Sequence, residues 1–172
     1  MAAFARQPLH TREPAWVKLS AERPDANALL RIFEAEYPPV DVESMARKLG
    51  IDIQAEPLGE VSGSLNTDRS TGLAVIRVRR DHVPWRQRFT IAHELGHLML
   101  GHANDSTTCY RFTGGAEETA ANRYAADLLM PLWMLEPLAI KHGADTALLA
   151  KIFEVSEEAM TIRISVLTGL RR

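Results

Sequence analysis

The stretch with the clearest chemical potential is RFTIAHELGHLMLGH, residues 88–102, which holds three of the six histidines of the chain. Within it, His93, Glu94 and His97 form the pattern His-Glu-x-x-His. On a helix, four residues turn the chain by about 400°, so the two histidines share one face and lie about 6 Å apart along the axis. Two neutral imidazoles at this spacing can bind one metal ion, and they suit zinc well.

The two other ionisable residues of this stretch, Glu94 and His102, have different predicted roles. Glu94 lies about 100° around the helix from His93, where it can reach the site without binding the metal. This position predicts a general base that takes a proton from a water molecule at the metal. His102 follows Gly101 at the end of the segment, which predicts a contact with the last helix carbonyls or the helix dipole and no metal ligation.

A catalytic zinc site also needs a third protein ligand and an open position for water. The next predicted helix, within EETAANRYAADLLMP, offers Glu117 and Glu118. Asn122 lies one turn after Glu118 on the same face, where its amide can orient the carboxylate or a ligating histidine. We therefore predict Glu118 as the third ligand. Glu117 stays an alternative, although Ala121, one turn after it, cannot form a hydrogen bond through its side chain.

Together, RFTIAHELGHLMLGH and EETAANRYAADLLMP resemble the ImmA/IrrE family of zinc metallopeptidases. The resemblance is close over residues 86–131 and extends more weakly over most of the chain beyond residue 25. One departure is Ala120, which stands where the family often has a second glutamate. The presence of both motifs in this order is far more specific than either motif alone.

The resemblance implies a gluzincin-like site in which His93, His97 and Glu118 bind Zn²⁺ and Glu94 is the general base. It also implies an endopeptidase that cleaves a helix-turn-helix repressor of the Xre type and so relieves repression of transcription. The substrate would lie extended, paired with the edge of LAVIRVR or of the strand before it. Four side chains are candidates for a further donor to the reacting carbonyl: Tyr110, Arg111, Tyr124 and His142.

The predicted fold is α+β, with a small antiparallel sheet packed on a mostly helical, zincin-like core and a C-terminal helical hairpin. Prolines among charged residues predict an irregular N-terminal arm over residues 1–25. Residues 26–172 then form a single metallopeptidase domain, with the zinc-binding core at 84–131 and C-terminal helices at 132–172. The first helix, in DANALLRIFEAEY, is predicted to bury four apolar side chains: Leu29, Leu30, Ile32 and Phe33.

Composition narrows the class of protein. Twenty basic and 22 acidic residues leave a formal net charge of -2, which provides no general field for nucleic acid or an anionic membrane. The N-terminus lacks an apolar run of the secretory type, and no stretch approaches the ~18 apolar residues of a membrane span. The single cysteine, Cys109, fits a reducing compartment. We expect a cytoplasmic protein, and the sequence leaves its oligomeric state open.

Two other functions are compatible with parts of the sequence. The same ligand set could stabilise a protein that binds a regulator without cutting it, although such a protein would not need Glu94. Alternatively, LLAKIFEVSEEAMTIRISV could be a DNA-binding helix-turn-helix, with its turn at Val155 and Ser156 and with Arg163 on the second helix. The acidic residues around that turn would repel phosphate, which argues against direct binding of nucleic acid.

Overall fold

The computed structural model describes residues 14–102 and 115–169. Predictions for Cys109, Tyr110 and Arg111, and for residues 1–13, fall outside the described residues. In chain order the described elements are α1 (Ala15–Glu22), α2 (Ala26–Ile32), α3 (Val42–Lys48), β1 (Asp52–Glu56), β2 (Gly63–Asp68), β3 (Leu73–Arg79), α4 (Pro84–Leu100), α5 (Ala116–Leu129), α6 (Leu132–His142), α7 (Thr146–Phe153) and α8 (Glu157–Leu167). None of the described helices has the length and apolar character needed to cross a lipid bilayer.

Helix α4 lies at the centre of the fold and contacts α1, α3, α5, β2 and β3. It begins at Pro84, since proline suits the first position of a helix, where the backbone N–H has no intrahelical partner. All residues from Thr90 to Met99 are buried. The polar side chains of this segment are therefore held in the interior, where each of them needs a partner.

The sheet is mixed, so the prediction of an antiparallel sheet is only half correct. Its strand order is β1-β3-β2, in which β2 is antiparallel to β3 and β1 is parallel to β3. After β1 the chain forms β2 two strand positions away and in the opposite direction. It then turns back and forms β3 between them, so β3 has the same direction as β1. The strand LAVIRVR is therefore central and has no edge to offer a substrate, whereas β2 lies at the edge.

The prediction of an irregular N-terminal arm is wrong for residues 14–25, which the structure describes. Helix α1 begins after Pro14 and ends before Pro24, so the two prolines flank this helix without interrupting it. Its Trp16 is fully buried and donates a hydrogen bond from Nε1 to the carbonyl of Gly72, at a distance of 3.0 Å. This indole anchors α1 to the turn between β2 and β3.

Helix α2 is shorter than predicted, and one of its inward assignments is wrong. Leu29 and Leu30 are buried and Phe33 packs against the core, but Ile32 is 53% exposed. The helix ends at Ile32 and Glu34 adopts a left-handed φ of 52°, so the segment before Pro38 and Pro39 is not helical. Two turns are too short to bury more than one face, and Ile32 lies about 200° around from Leu30.

The predicted C-terminal hairpin is formed by α7 and α8, and Ser156 caps α8 with its hydroxyl, which accepts a hydrogen bond from the backbone N–H of Ala159. Arg163 does not point outward toward a ligand. It is buried, it donates from Nε to the carbonyl of Met130 at 2.8 Å, and its Nη2 lies 2.7 Å from Asp127 Oδ1. The hypothesis that Arg163 reads DNA is therefore wrong, because this side chain holds α8 against the end of α5.

Strand β2 approaches α4 closely at Gly63. A Cβ atom on this glycine would overlap the Cγ2 methyl of Thr90 and would lie 2.8 Å from the carbonyl oxygen of Arg77. It would also lie 3.6 Å from Oε1 of Glu94. The absence of a side chain at Gly63 therefore brings the edge strand beside Glu94.

We predict that Gly63→Ala lowers the free energy of unfolding by about 1–3 kcal/mol, because the added methyl overpacks the contact between β2 and α4. Urea denaturation of wild type, Gly63→Ala, Thr90→Ser and the double variant checks this. Thr90→Ser removes the methyl that clashes, so Gly63→Ala should cost less in that background. An equal cost in both backgrounds would contradict the packing interpretation.

Candidate metal centre

Two neighbouring helices bring three donor groups to one buried point. His93 and His97 project from α4, and Glu118 projects from the first turn of α5. Each of the three offers an atom within 4.8 Å of the others, and all three residues are buried. Gly96, between the histidines, allows α5 to come close, since a Cβ there would lie 3.1 Å from the carbonyl oxygen of Ala121.

The separations between the donor atoms fit a single small ion. The Nε2 atoms of His93 and His97 are 3.0 Å apart. Glu118 places Oε2 3.3 Å from Nε2 of His93 and Oε1 3.3 Å from Nε2 of His97. A tetrahedral zinc ion with ligands at about 2.0–2.1 Å separates its donor atoms by about 3.3 Å. The three side chains therefore fit a metal ion without rearrangement of the helices.

Asn122 orients His93 in the way that favours metal binding. Nδ1 of His93 donates to Oδ1 of Asn122 across 3.0 Å, which leaves the lone pair of Nε2 directed at the site. Of the two roles predicted for Asn122, orienting the carboxylate or orienting a histidine, the structure has the second. Such a partner fixes both the tautomer and the angle of a ligating imidazole.

His102 plays the corresponding part for His97. Gly101 adopts a left-handed φ of 77°, and the backbone N–H of His102 donates to the carbonyl of His97 at 2.9 Å. This turn at the helix end also directs the side chain of His102 toward His97, so that the Nδ1 atoms of the two rings are 3.2 Å apart. With His97 as the donor, Nε2 of His97 keeps its lone pair for a metal. The sequence predicts that His102 contacts the last carbonyls or the helix dipole; in the structure its backbone N–H contacts a carbonyl, while its imidazole contacts the ring of His97.

Burial keeps both imidazoles of the site neutral. Burial lowers the pKa of His93, and it outweighs the hydrogen bond with Asn122, which raises that pKa. Burial, followed by the nearby His93 and His102, lowers the pKa of His97 to about 3. Neutral imidazole is the form that binds a metal ion, so these side chains need not lose a proton to do so.

The two buried carboxylates lack compensating positive charge within the described part of the chain. Burial, then repulsion from Glu118, raises the pKa of Glu94 to about 8. Burial, then repulsion from Glu117, raises the pKa of Glu118. Oε2 of Glu94 and Oε2 of Glu118 are both buried and receive no hydrogen bond from a described residue. A dication at this point would remove the cost of burying them.

The structure separates the remaining candidates from the site. Glu117 is exposed, whereas its neighbour Glu118 faces the histidines. Tyr124 is buried and donates its hydroxyl to the carbonyl of Pro24 at 3.1 Å. His142 lies in the last turn of α6 and is not part of the donor group.

Adjacent glutamates allow a matched test of the ligand set. Glu118→Gln should weaken metal binding by more than the about 10–100-fold that loss of an outer partner costs, because it removes a charged donor. Glu117→Gln, which removes an exposed charge and no donor, should change the affinity far less. Competition with a chromogenic chelator measures both values. Equal losses in the two variants would contradict the assignment of Glu118 as the third donor.

The contact between His102 and His97 predicts a smaller effect on the same measurement. His102→Ala should weaken metal binding about 10–100-fold, because His97 loses the partner that fixes its tautomer and angle. His142→Ala, a histidine substitution outside the donor group, is the control and should have no effect. Unchanged affinity in His102→Ala would show that His97 is positioned by packing alone.

Comparison with known proteins places the chain in a recognised family. Residues 46–165 match the model of the Peptidase_M78 family, described as the IrrE N-terminal-like domain. The chain is 29% identical over 157 residues to the radiation response metalloprotease IrrE of Deinococcus radiodurans, covering 87% of the chain and 47% of that protein. It is 29% identical over 155 residues to the protein of the same name from Deinococcus deserti, covering 86% of the chain and 54% of that protein. The chain thus spans about half the length of these relatives.

A solved structure has the same fold. The chain superposes on a Mycobacterium tuberculosis transcriptional regulator with a TM-score of 0.60 and 21% identity, covering 87% of the chain and 46% of that structure. The family match includes the three donor residues and Glu94, and it spans most of the elements that position them. The chain belongs to the IrrE N-terminal-like family of M78 peptidases.

Proposed function

We propose that this protein is a zinc-dependent endopeptidase that cleaves a helix-turn-helix repressor of the Xre type and thereby relieves repression. The observation that carries the proposal is the convergence of His93, His97 and Glu118 on one point, with Glu94 buried beside them and its Oε2 without a hydrogen-bond donor among the described residues. The names of the two Deinococcus relatives, both metalloproteases, support the hydrolytic part.

Zinc is the proposed metal because two imidazoles and one carboxylate are a usual ligand set for catalytic zinc. His93, His97 and Glu118 would hold it and leave one position open. When bound, zinc supplies a Lewis acid for the scissile carbonyl and a water molecule with a pKa of about 7. Elemental analysis of the purified protein identifies the metal, since other divalent ions also bind such sites.

Glu94 is the residue that would move the proton. Its Oε2 is buried and receives no hydrogen bond from a described residue, so no donor in that part of the chain competes for its lone pairs. The carboxylate would take the water proton as the oxygen attacks the peptide carbonyl, and then pass it to the departing amine. A general base in this position typically contributes about 10²–10⁴-fold to the rate.

Strand β2 is the proposed partner for the substrate backbone. It lies at the edge of the sheet, and Gly63 brings its start beside Glu94. An extended peptide paired with this edge would place a carbonyl within reach of the site. Pairing of this kind recognises backbone and requires an unfolded segment, so a flexible loop of a repressor suits it better than an intact helix. A cytoplasmic reaction is consistent with such a substrate.

Glu94→Gln should keep the metal and lose cleavage, with a rate reduced about 10²–10⁴-fold, because the amide cannot accept the proton. The zinc-loaded protein is incubated with the helix-turn-helix repressors of the same genome, the one encoded nearest to it first, and fragments are identified by mass spectrometry. Wild type treated with a chelator, and then resupplied with zinc, is the control. Cleavage by Glu94→Gln at the wild-type rate would overturn the proposal.

A further inference from the structure

A groove of about 740 Å³ begins next to the metal centre and runs between α4, α5 and α8. Its volume lies within the range of about 300–1,000 Å³ that is typical of ligand-binding clefts. One wall comes from the first turns of α4, the base from the outer face of α5, and the far wall from α8. The groove is therefore formed by the two helices that carry the metal donors together with the C-terminal hairpin.

The groove is lined by residues that neighbour or contact the donor group, although the donors themselves do not line it. Asn122 lines it and also accepts the hydrogen bond from His93. Phe89 lines it one turn before His93, and the two ring centroids are 6.3 Å apart. Thr119, next to Glu118, lines it as well. A polypeptide with a carbonyl at the metal centre would thus have this groove beside it.

The accessible walls of the groove are largely apolar. Four large apolar side chains that line it are between 36% and 42% exposed: Trp85, Leu132, Ile162 and Val166. Arg163 also lines it, but its guanidinium is bonded to Met130 and paired with Asp127. An anion is therefore not needed to satisfy this arginine, and the surface that gains most from being covered is aliphatic and aromatic.

We propose that this groove is the specificity subsite of the enzyme and binds bulky aliphatic or aromatic side chains of the substrate on one side of the scissile bond. The inference rests on the proposed function, because its occupant is the polypeptide being cleaved. The hairpin of α7 and α8 then acts in substrate selection, with Ile162 as a specificity-determining residue on the far wall. This gives the hairpin a role that does not involve DNA.

Ile162→Lys tests the subsite with a closely matched control. It places a charge in the apolar wall while Glu158, four residues earlier, stabilises the new lysine on the helix. Ile140→Lys makes the same change on α6, again four residues after a glutamate, Glu136, at a side chain that is 78% exposed and does not line the groove. Both variants should keep the fold and the metal content of wild type.

The probe is a library of peptides from a digested bacterial proteome, with cleavage sites read by mass spectrometry. Wild type should cleave next to bulky apolar residues at one fixed position, and should prefer its best peptide over an alanine-substituted version by about tenfold or more in kcat/KM. Ile162→Lys should reduce this ratio to near one, and Ile140→Lys should keep it. Absence of an apolar preference in wild type, or its persistence in Ile162→Lys, would overturn the subsite.

A binding measurement separates failure of the subsite from failure of the peptidase. The Glu94→Gln protein is incubated with the same library, and the retained peptides are identified. If peptides rich in bulky apolar residues are retained, and if adding Ile162→Lys abolishes this preference, the groove is supported even when wild type cleaves no peptide. Absence of cleavage by wild type would then overturn only the peptidase. Retention without this preference would overturn the groove.

Discussion

The close approach of α4 and α5 at Gly96 is the contact on which the site depends. A side chain at this position would meet the backbone of Ala121 and the Cβ atom of Tyr124 at 3.1 Å, so the two helices pack with almost no space between them. Ala121 is fully buried in this contact and keeps α5 thin at the same point. The approach also determines where Glu118 lies relative to the histidines. Helix packing and donor geometry are thus one constraint, and a shift of α5 by the width of a methyl group would separate the carboxylate from both imidazoles.

This geometry lowers the stability of the metal-free protein. Two carboxylates and two imidazoles are buried at the contact, and the raised pKa of Glu94, about 8, reflects the free energy needed to keep its charged form away from water. The surrounding apolar core, which includes Leu95 and Leu98 on the same helix, provides the compensating stabilisation. A dication would favour the folded state further, because a ligand that binds only the native protein stabilises it. The donor group is thus destabilising without metal, and selection for a fold alone would not produce it.

Local rules allowed most of the helices and the donor group to be predicted, and failures began where distant segments meet. Pro84, Gly101 and the spacing of the histidines are local features, and Asn122 one turn after Glu118 was enough to choose between two adjacent acids. The parallel pairing of β1 with β3 depends on where the chain returns to the sheet, which no local pattern records. Local sequence does not indicate helix α1, because prolines lie on both sides of it and the indole of Trp16 that anchors it binds a carbonyl 56 residues away.

The same limit applies to the C-terminal hairpin, for which the sequence leaves DNA binding as a minor alternative. In sequence, two short helices with an arginine on the second are compatible with a DNA-binding motif. In the structure, Arg163 bonds to Met130 at the end of α5, so α8 is fixed to the helix that carries Glu118. The family match continues to residue 165, within α8, and therefore includes most of this wall along with the donor residues. Because one helix, α5, carries a metal donor at its start and is bonded to the hairpin at its end, a side chain bound against Ile162 is held in a defined position relative to the metal centre. In the proposed peptidase, substrate selection and bond cleavage would then share one helix.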